Sequence, residues 1–237
     1  MKSEKVSDHD PLPFLEPEYV SSRSYQKDEF CIYYIGNSIT RHGFNQKTLE
    51  KLGWGRVCGM AASCEENDYA HILAAKIQNF IPEKKVVMLF GSLAEFNKSA
   101  PPINPGLVVF QSGEHVTNRN VPSFAEEYTN ILSKIRNTYP DSRIIAIGVW
   151  NPRCRTEFKE CTGENYFSNA ALIGNIQKTV AKQLNIPFVS VSEYENDPAN
   201  TGNAVVAAVR WHPNDNGMKC YADAAFSVFK SIWTTKE

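Results

Sequence analysis

The chain of 237 residues is 42% hydrophobic and 22% charged, which suits one well-filled globular domain rather than a disordered or fibrous chain. Its formal charge of -1 gives no basic footprint for nucleic acid or for an anionic membrane surface. Residues 1–29 are polar and proline-bearing and read as an N-terminal extension. Lys2, Lys5, Asp8 and Asp10 leave no apolar core of the signal-peptide kind there, and no later run reaches the ~18 apolar residues of a membrane helix. The six cysteines form no CxxC pair and no zinc-like spacing. Free thiols and a cytoplasmic compartment are therefore expected, with bridges between Cys58 and Cys64 or between Cys154 and Cys161 left open.

Residues 30–237 read as a single α/β domain. Residues 30–35 are apolar, aromatic and β-branched without polar alternation, as in a strand covered on both faces. Gly36 and Asn37 permit a sharp turn, which would deliver Ser38 to the N-terminus of a helix, either as a nucleophile or as a simple cap. Ser63 and Glu66 have capping-box spacing before an amphipathic run of Tyr69, Ile72, Leu73, Ile77 and Phe80, on which His71 reads as structural. Residues 85–90 form a second strand, ending at Gly91 and Ser92. Residues 106–111 form a third, running into Ser112, Gly113, Glu114 and His115. Ser123 and Glu126 open a helix with Tyr128, Ile131, Leu132 and Ile135 on its apolar face. Residues 143–150 make a fourth strand, leaving Trp150 and Arg153 at the sheet end. Phe167, Ile173, Ile176, Val180 and Leu184 mark a helix, and residues 186–191 a fifth strand. His212 then precedes a last helix capped by Asn214 and Asp215, with Met218, Ala222, Ala225, Phe226, Phe229 and Trp233 facing the core.

Gly36-Asn37-Ser38-Ile39-Thr40 resembles the first block of the SGNH (GDSL-like) hydrolase superfamily, in its Gly-Asn-Ser-Ile-Thr subgroup. His212-Pro213-Asn214-Asp215-Asn216-Gly217-Met218 resembles the last block, and Gln111-Ser112-Gly113-Glu114-His115-Val116 the third, usually written Gly-x-Asn. The blocks follow the family order over about 180 residues. Thr40 breaks the Gly-x-Ser-x-Gly elbow of an ordinary α/β-hydrolase.

The resemblance implies a three-layer α/β/α sandwich around a flavodoxin-like five-stranded parallel sheet of order 2-1-3-4-5, with the site at the carboxyl ends of the strands. It also implies a serine esterase that removes O-acetyl groups from a saccharide or small-molecule ester, through an acyl-enzyme on Ser38 with His212 as base. No cofactor, metal, nucleic acid or membrane partner is called for. The oxyanion and substrate residues it implies are Gly91 (with Gly59 as the alternative), Gly113, Asn37 and His115.

Two positions depart from the family pattern. His115 stands where the family has an asparagine donor. Val209 stands where it has the aspartate that orients the histidine, which leaves a backbone carbonyl or one of Glu193, Glu195 and Asp197 for that task. A sugar O-acyltransferase and a non-catalytic carbohydrate-binding protein are the alternative readings.

Overall fold

A computed structural model describes residues 28–117, 119–152 and 170–234. The sheet has five parallel strands, β1 (Glu29–Gly36), β2 (Lys85–Ser92), β3 (Leu107–Gln111), β4 (Arg143–Ile147) and β5 (Phe188–Val189), in the order β2-β1-β3-β4-β5. Every pairing is parallel, with Tyr34 opposite Phe90 on one side of β1 and Val109 on the other. This is the flavodoxin-like order, and it explains the unbroken apolar character of residues 30–35, since helices cover both faces.

The alternation of side chains along β1 divides the core in two. Phe30, Ile32 and Tyr34 point to one layer, where they meet α2 (Tyr69–Phe80) and α7 (Asp215–Trp233). Cys31, Tyr33 and Ile35 point to the other, against α3 (Leu93–Lys98), α4 (Val121–Thr138) and α5 (Ala170–Gln183). Helix α7 buries Met218, Tyr221, Ala222, Ala225 and Phe229. Each large apolar side chain sunk in this way contributes about 1.5–3 kcal/mol, which anchors the loop that precedes α7. Phe226 and Trp233 pack at the rim of the same layer.

Several local expectations are corrected. No helix starts at Ser38: residues 38–40 form a turn, and the next helix is α1 (Gln46–Leu52), capped by Asn45. Ser63 does not cap α2, because Asp68 does so by accepting from His71 N, and residues 65–67 form a separate 3-10 turn. Helix α4 begins ahead of Ser123, with Asn120 at its N-cap and Pro122 in its first turn. Strand β2 continues through Gly91, whereas β4 stops at Ile147 and β5 keeps two paired residues. Cys31, Cys58, Cys64 and Cys220 are free thiols. Cys154, Cys161, Arg153 and Phe167 lie outside the described residues.

Candidate active site

The turn after β1 is built around Asn37. Its carbonyl accepts from Thr40 N and Arg41 N, both at 3.0 Å, and its side-chain oxygen accepts from Ile39 N at 3.0 Å. Gly36 has to be glycine, since a Cβ there would overlap the Thr40 side chain. The Thr40 hydroxyl is buried between the Tyr69 hydroxyl, at 2.8 Å, and the Gln111 side-chain oxygen, at 3.2 Å. The turn therefore holds Ser38 at the end of β1 without help from a helix dipole.

The second half comes from the far end of the chain. A short helix, α6 (Ala207–Arg210), leads through Trp211 to His212, whose Nε2 stands 2.9 Å from Ser38 Oγ. His212 Nδ1 faces the carbonyl oxygen of Val209 at 3.2 Å. A carbonyl only accepts, so Nδ1 carries the proton and Nε2 is left to accept from the Ser38 hydroxyl. The His212 carbonyl accepts from Gly202 N, and the Trp211 ring stacks on the imidazole with centroids 3.7 Å apart. Only 3% of His212 is exposed, while Ser38 beside it is half-buried.

A third strand of chain closes in beside the turn. Met60 N donates to Ser38 O at 2.8 Å, and Ala61 next to it adopts φ +75°, a left-handed conformation that suits glycine better. Gly59 passes so close to Ile39 O and Met218 Cε that a Cβ would stand 2.5 and 2.7 Å from them. Its N–H is given to the buried Asp68 carboxylate. Asp215 accepts from Ser63 N, Ser63 Oγ and Asn67 Nδ2, which fastens this loop to the start of α7. Asn214, the N-cap of α7, also donates to the carbonyls of Ala199 and Thr201.

The structure thus brings Ser38 and His212 together, and the other expected residues make their contacts elsewhere. His115 is exposed, with no hydrogen bond or ring contact to either, because the turn after β3 sends it outward while Glu114 points in. Gly91 lies within edge strand β2, where a Cβ would meet the Tyr33 hydroxyl at 2.5 Å, so close packing accounts for it. Gly113 has φ +124° and backs onto Gln177 and Val149, which again is a packing role. Asn37 spends its side chain on Ile39 N and on Glu114.

The alternative acids do not reach the histidine ring either. Glu193 is exposed, Asp197 caps the 198–200 turn through Ala199 N, and Glu195 accepts from Asn151 N at 3.0 Å. Burial pushes the Glu195 carboxyl up to about 7, the Asn151 amide opposing that shift and the nearby Glu114 adding to it. Trp150 is wholly buried, and its indole N–H donates to Trp211 O, so it braces the histidine loop. Three contributions lie beyond the reach of the sequence patterns: the Val209 carbonyl as a specific partner, the left-handed Ala61, and the inward-pointing Glu114. Only Glu114 has a local signal, as an acid immediately after the Gly113 turn.

No family model and no curated protein matches the sequence. Solved structures do. A two-domain esterase active on acetylated mannans, crystallised with mannopentaose, is 15% identical with a TM-score of 0.54, covering 87% of this chain and 50% of its own. The chain thus spans about half the length of that protein. A family two carbohydrate esterase from Clostridium thermocellum, in complex with cellohexaose, is 15% identical with a TM-score of 0.54, covering 90% of this chain and 67% of its own. The psychrotrophic esterase EstA from Pseudoalteromonas is 12% identical with a TM-score of 0.53, covering 87% of this chain and 100% of its own. The chain has the fold of the SGNH (GDSL-like) hydrolases.

Proposed function

We propose that this protein is a serine-dependent ester hydrolase acting through an acyl-enzyme on Ser38. The observation that carries the reading is the 2.9 Å contact between Ser38 Oγ and His212 Nε2, in the tautomer that the Val209 carbonyl requires. In the first half-reaction His212 takes the hydroxyl proton as Ser38 Oγ bonds to the ester carbonyl carbon, and it then gives that proton to the departing alcohol. In the second, His212 takes a proton from water as the water oxygen bonds to the acyl carbon, and returns it to Ser38 Oγ as the acyl C–O bond breaks and the acid leaves. The amides of Ser38 and Ala61 receive the developing oxyanion: among the described residues neither donates to a protein acceptor, and the Met60 bond to Ser38 O sets them side by side in the chain path.

The substrate class proposed is an O-acetylated saccharide. It is supported by the fold shared with an esterase active on acetylated mannans and with a family two carbohydrate esterase. The test is hydrolysis of p-nitrophenyl acetate and release of acetate from acetylated mannan by the wild-type chain beside Ser38→Ala and His212→Ala. Turnover lost in both variants supports the reading. Acetate release from the aryl ester but not from the polysaccharide would retain the esterase and remove the saccharide assignment.

A further inference from the structure

The carboxylate of Glu114 is 2% exposed and sits between the two halves of the site. Its Oε2 accepts from Asn37 Nδ2 at 2.5 Å, on the turn that carries Ser38. Its Oε1 accepts from Gln111 Nε2 at 2.7 Å, at the end of β3, and from Trp150 N at 2.8 Å, just beyond β4. The Trp150 indole in turn donates to Trp211 O at 2.9 Å, next to His212. One buried acid is therefore joined to the nucleophile turn directly and to the histidine loop through a single indole.

An acid buried in such a place, with its two oxygens accepting three N–H groups, is kept at a desolvation cost unless those hydrogen bonds do something for the fold or the site. Here the donors come from the ends of three different strand segments, so the acid sets the spacing of those ends. Resting on the esterase reading above, we propose that Glu114 is the positioning residue of the Ser38–His212 pair, acting through Asn37 on one side and Trp150 on the other. It touches neither substrate nor the reacting atoms.

The hydrogen-bond polarity makes this testable. In Glu114→Gln the amide oxygen belongs at the Oε1 place, where two N–H groups point, which turns the new NH2 toward the NH2 of Asn37. Asn37 cannot flip to meet it without turning its own NH2 toward Ile39 N. In Asn37→Asp two carboxylates face each other. In the double variant Asn37→Asp/Glu114→Gln each donor again finds an acceptor, with the central bond reversed. The carboxylate introduced at position 37 would accept from Ile39 N and from the new amide at position 114, while that amide's oxygen keeps Gln111 and Trp150.

Kinetics with p-nitrophenyl acetate are measured for the wild type, both single variants and the double, well below each melting temperature. A displaced nucleophile costs on the order of 10²-fold in rate, so each single variant is expected to lose about 10- to 100-fold in kcat with KM within about twofold. The double variant is expected to recover to within about threefold of wild type. A role in stability alone would lower the melting temperatures and leave kcat of the folded protein intact, which overturns the proposal. So does a double variant in which the two losses multiply, or one that does not fold. A wild-type chain that neither turns over nor acetylates Ser38 sinks the esterase reading and this role with it, whereas normal wild-type turnover with an unaffected Glu114→Gln sinks the positioning role alone.

Discussion

His212 Nδ1 lies 3.2 Å from the carbonyl oxygen of Val209, three residues earlier in the same chain, so the imidazole is oriented by its own backbone. A carbonyl selects the same tautomer that a carboxylate would, but brings only a partial charge to the imidazolium that forms during attack. Neither Glu193 nor Asp197 should then behave as a third catalytic member. Glu193→Ala and Asp197→Ala are expected to keep kcat/KM within about threefold of wild type, where Ser38→Ala and His212→Ala lose at least about 10³-fold. Assay of the four variants on p-nitrophenyl acetate checks this, and a large loss in either acid variant would place a carboxylate behind the histidine.

The oxyanion assignment separates Ala61 from His115. Because His115 is exposed and contacts neither member of the pair, His115→Ala should retain activity within about twofold, where loss of a true oxyanion donor costs about 10²–10³ in kcat. Ala61 holds φ +75°, so Ala61→Gly relieves a left-handed alanine and should stabilise the protein by about 1 kcal/mol in urea unfolding, with activity kept. An Ala61→Gly chain less stable than wild type would mean that the Ala61 methyl is needed for packing.

Glu195 sets a pH dependence of stability. Its carboxyl is pushed up to about 7 by burial, with the Asn151 amide opposing and Glu114 adding, against an ordinary value of 4.5. The native state therefore holds a proton that the unfolded chain releases. That contribution is complete below about 4.5 and is lost as pH rises through about 7, above which both states are ionised. Glu195→Gln stays neutral and still offers an oxygen to Asn151 N. The wild type should lose on the order of 2 kcal/mol relative to this variant between about pH 5 and pH 8. Parallel stability curves for the two proteins would show that Glu195 is ionised throughout.

The cysteines differ in reactivity. Cys58 is buried, and burial together with the nearby Asp68 pushes its thiol up to about 12. Cys64 and Cys220 are half-buried. Alkylation of the native protein with iodoacetamide, followed by peptide mapping, should modify Cys64 and Cys220 well before Cys58. Early modification of Cys58 would mean that the loop over Ser38 opens readily.

The sheet is legible in the sequence because its strands are apolar on both faces. Residues 30–35 and 107–110 carry no polar alternation, which suits a parallel sheet covered by helices on both faces. Gly36-Asn37-Ser38 and the far-off His212 are legible as chemistry, since a sharp turn and a loop histidine are local features. What connects them is not. Glu114 and His115 lie in the turn after β3, where neither strand nor helix periodicity says which of the two points inward. The Ser63 and Glu66 spacing suggests a cap, but Ser63 is drawn instead to Asp215, 152 residues away, and Asp68 takes over the cap of α2. Among the described residues His212 Nδ1 faces a main-chain carbonyl, the kind of acceptor expected once valine stands at 209, but no side-chain pattern says which carbonyl it is.

The central claim is that Ser38 carries the acyl group with His212 as its base, and the most direct test is intact and peptide-level mass spectrometry of the protein quenched during turnover of p-nitrophenyl acetate. The account predicts a single acetyl adduct on the peptide containing Ser38 in the wild type, and none in Ser38→Ala or His212→Ala. Full turnover in Ser38→Ala, or an adduct on another residue that forms at the rate of turnover, would contradict it.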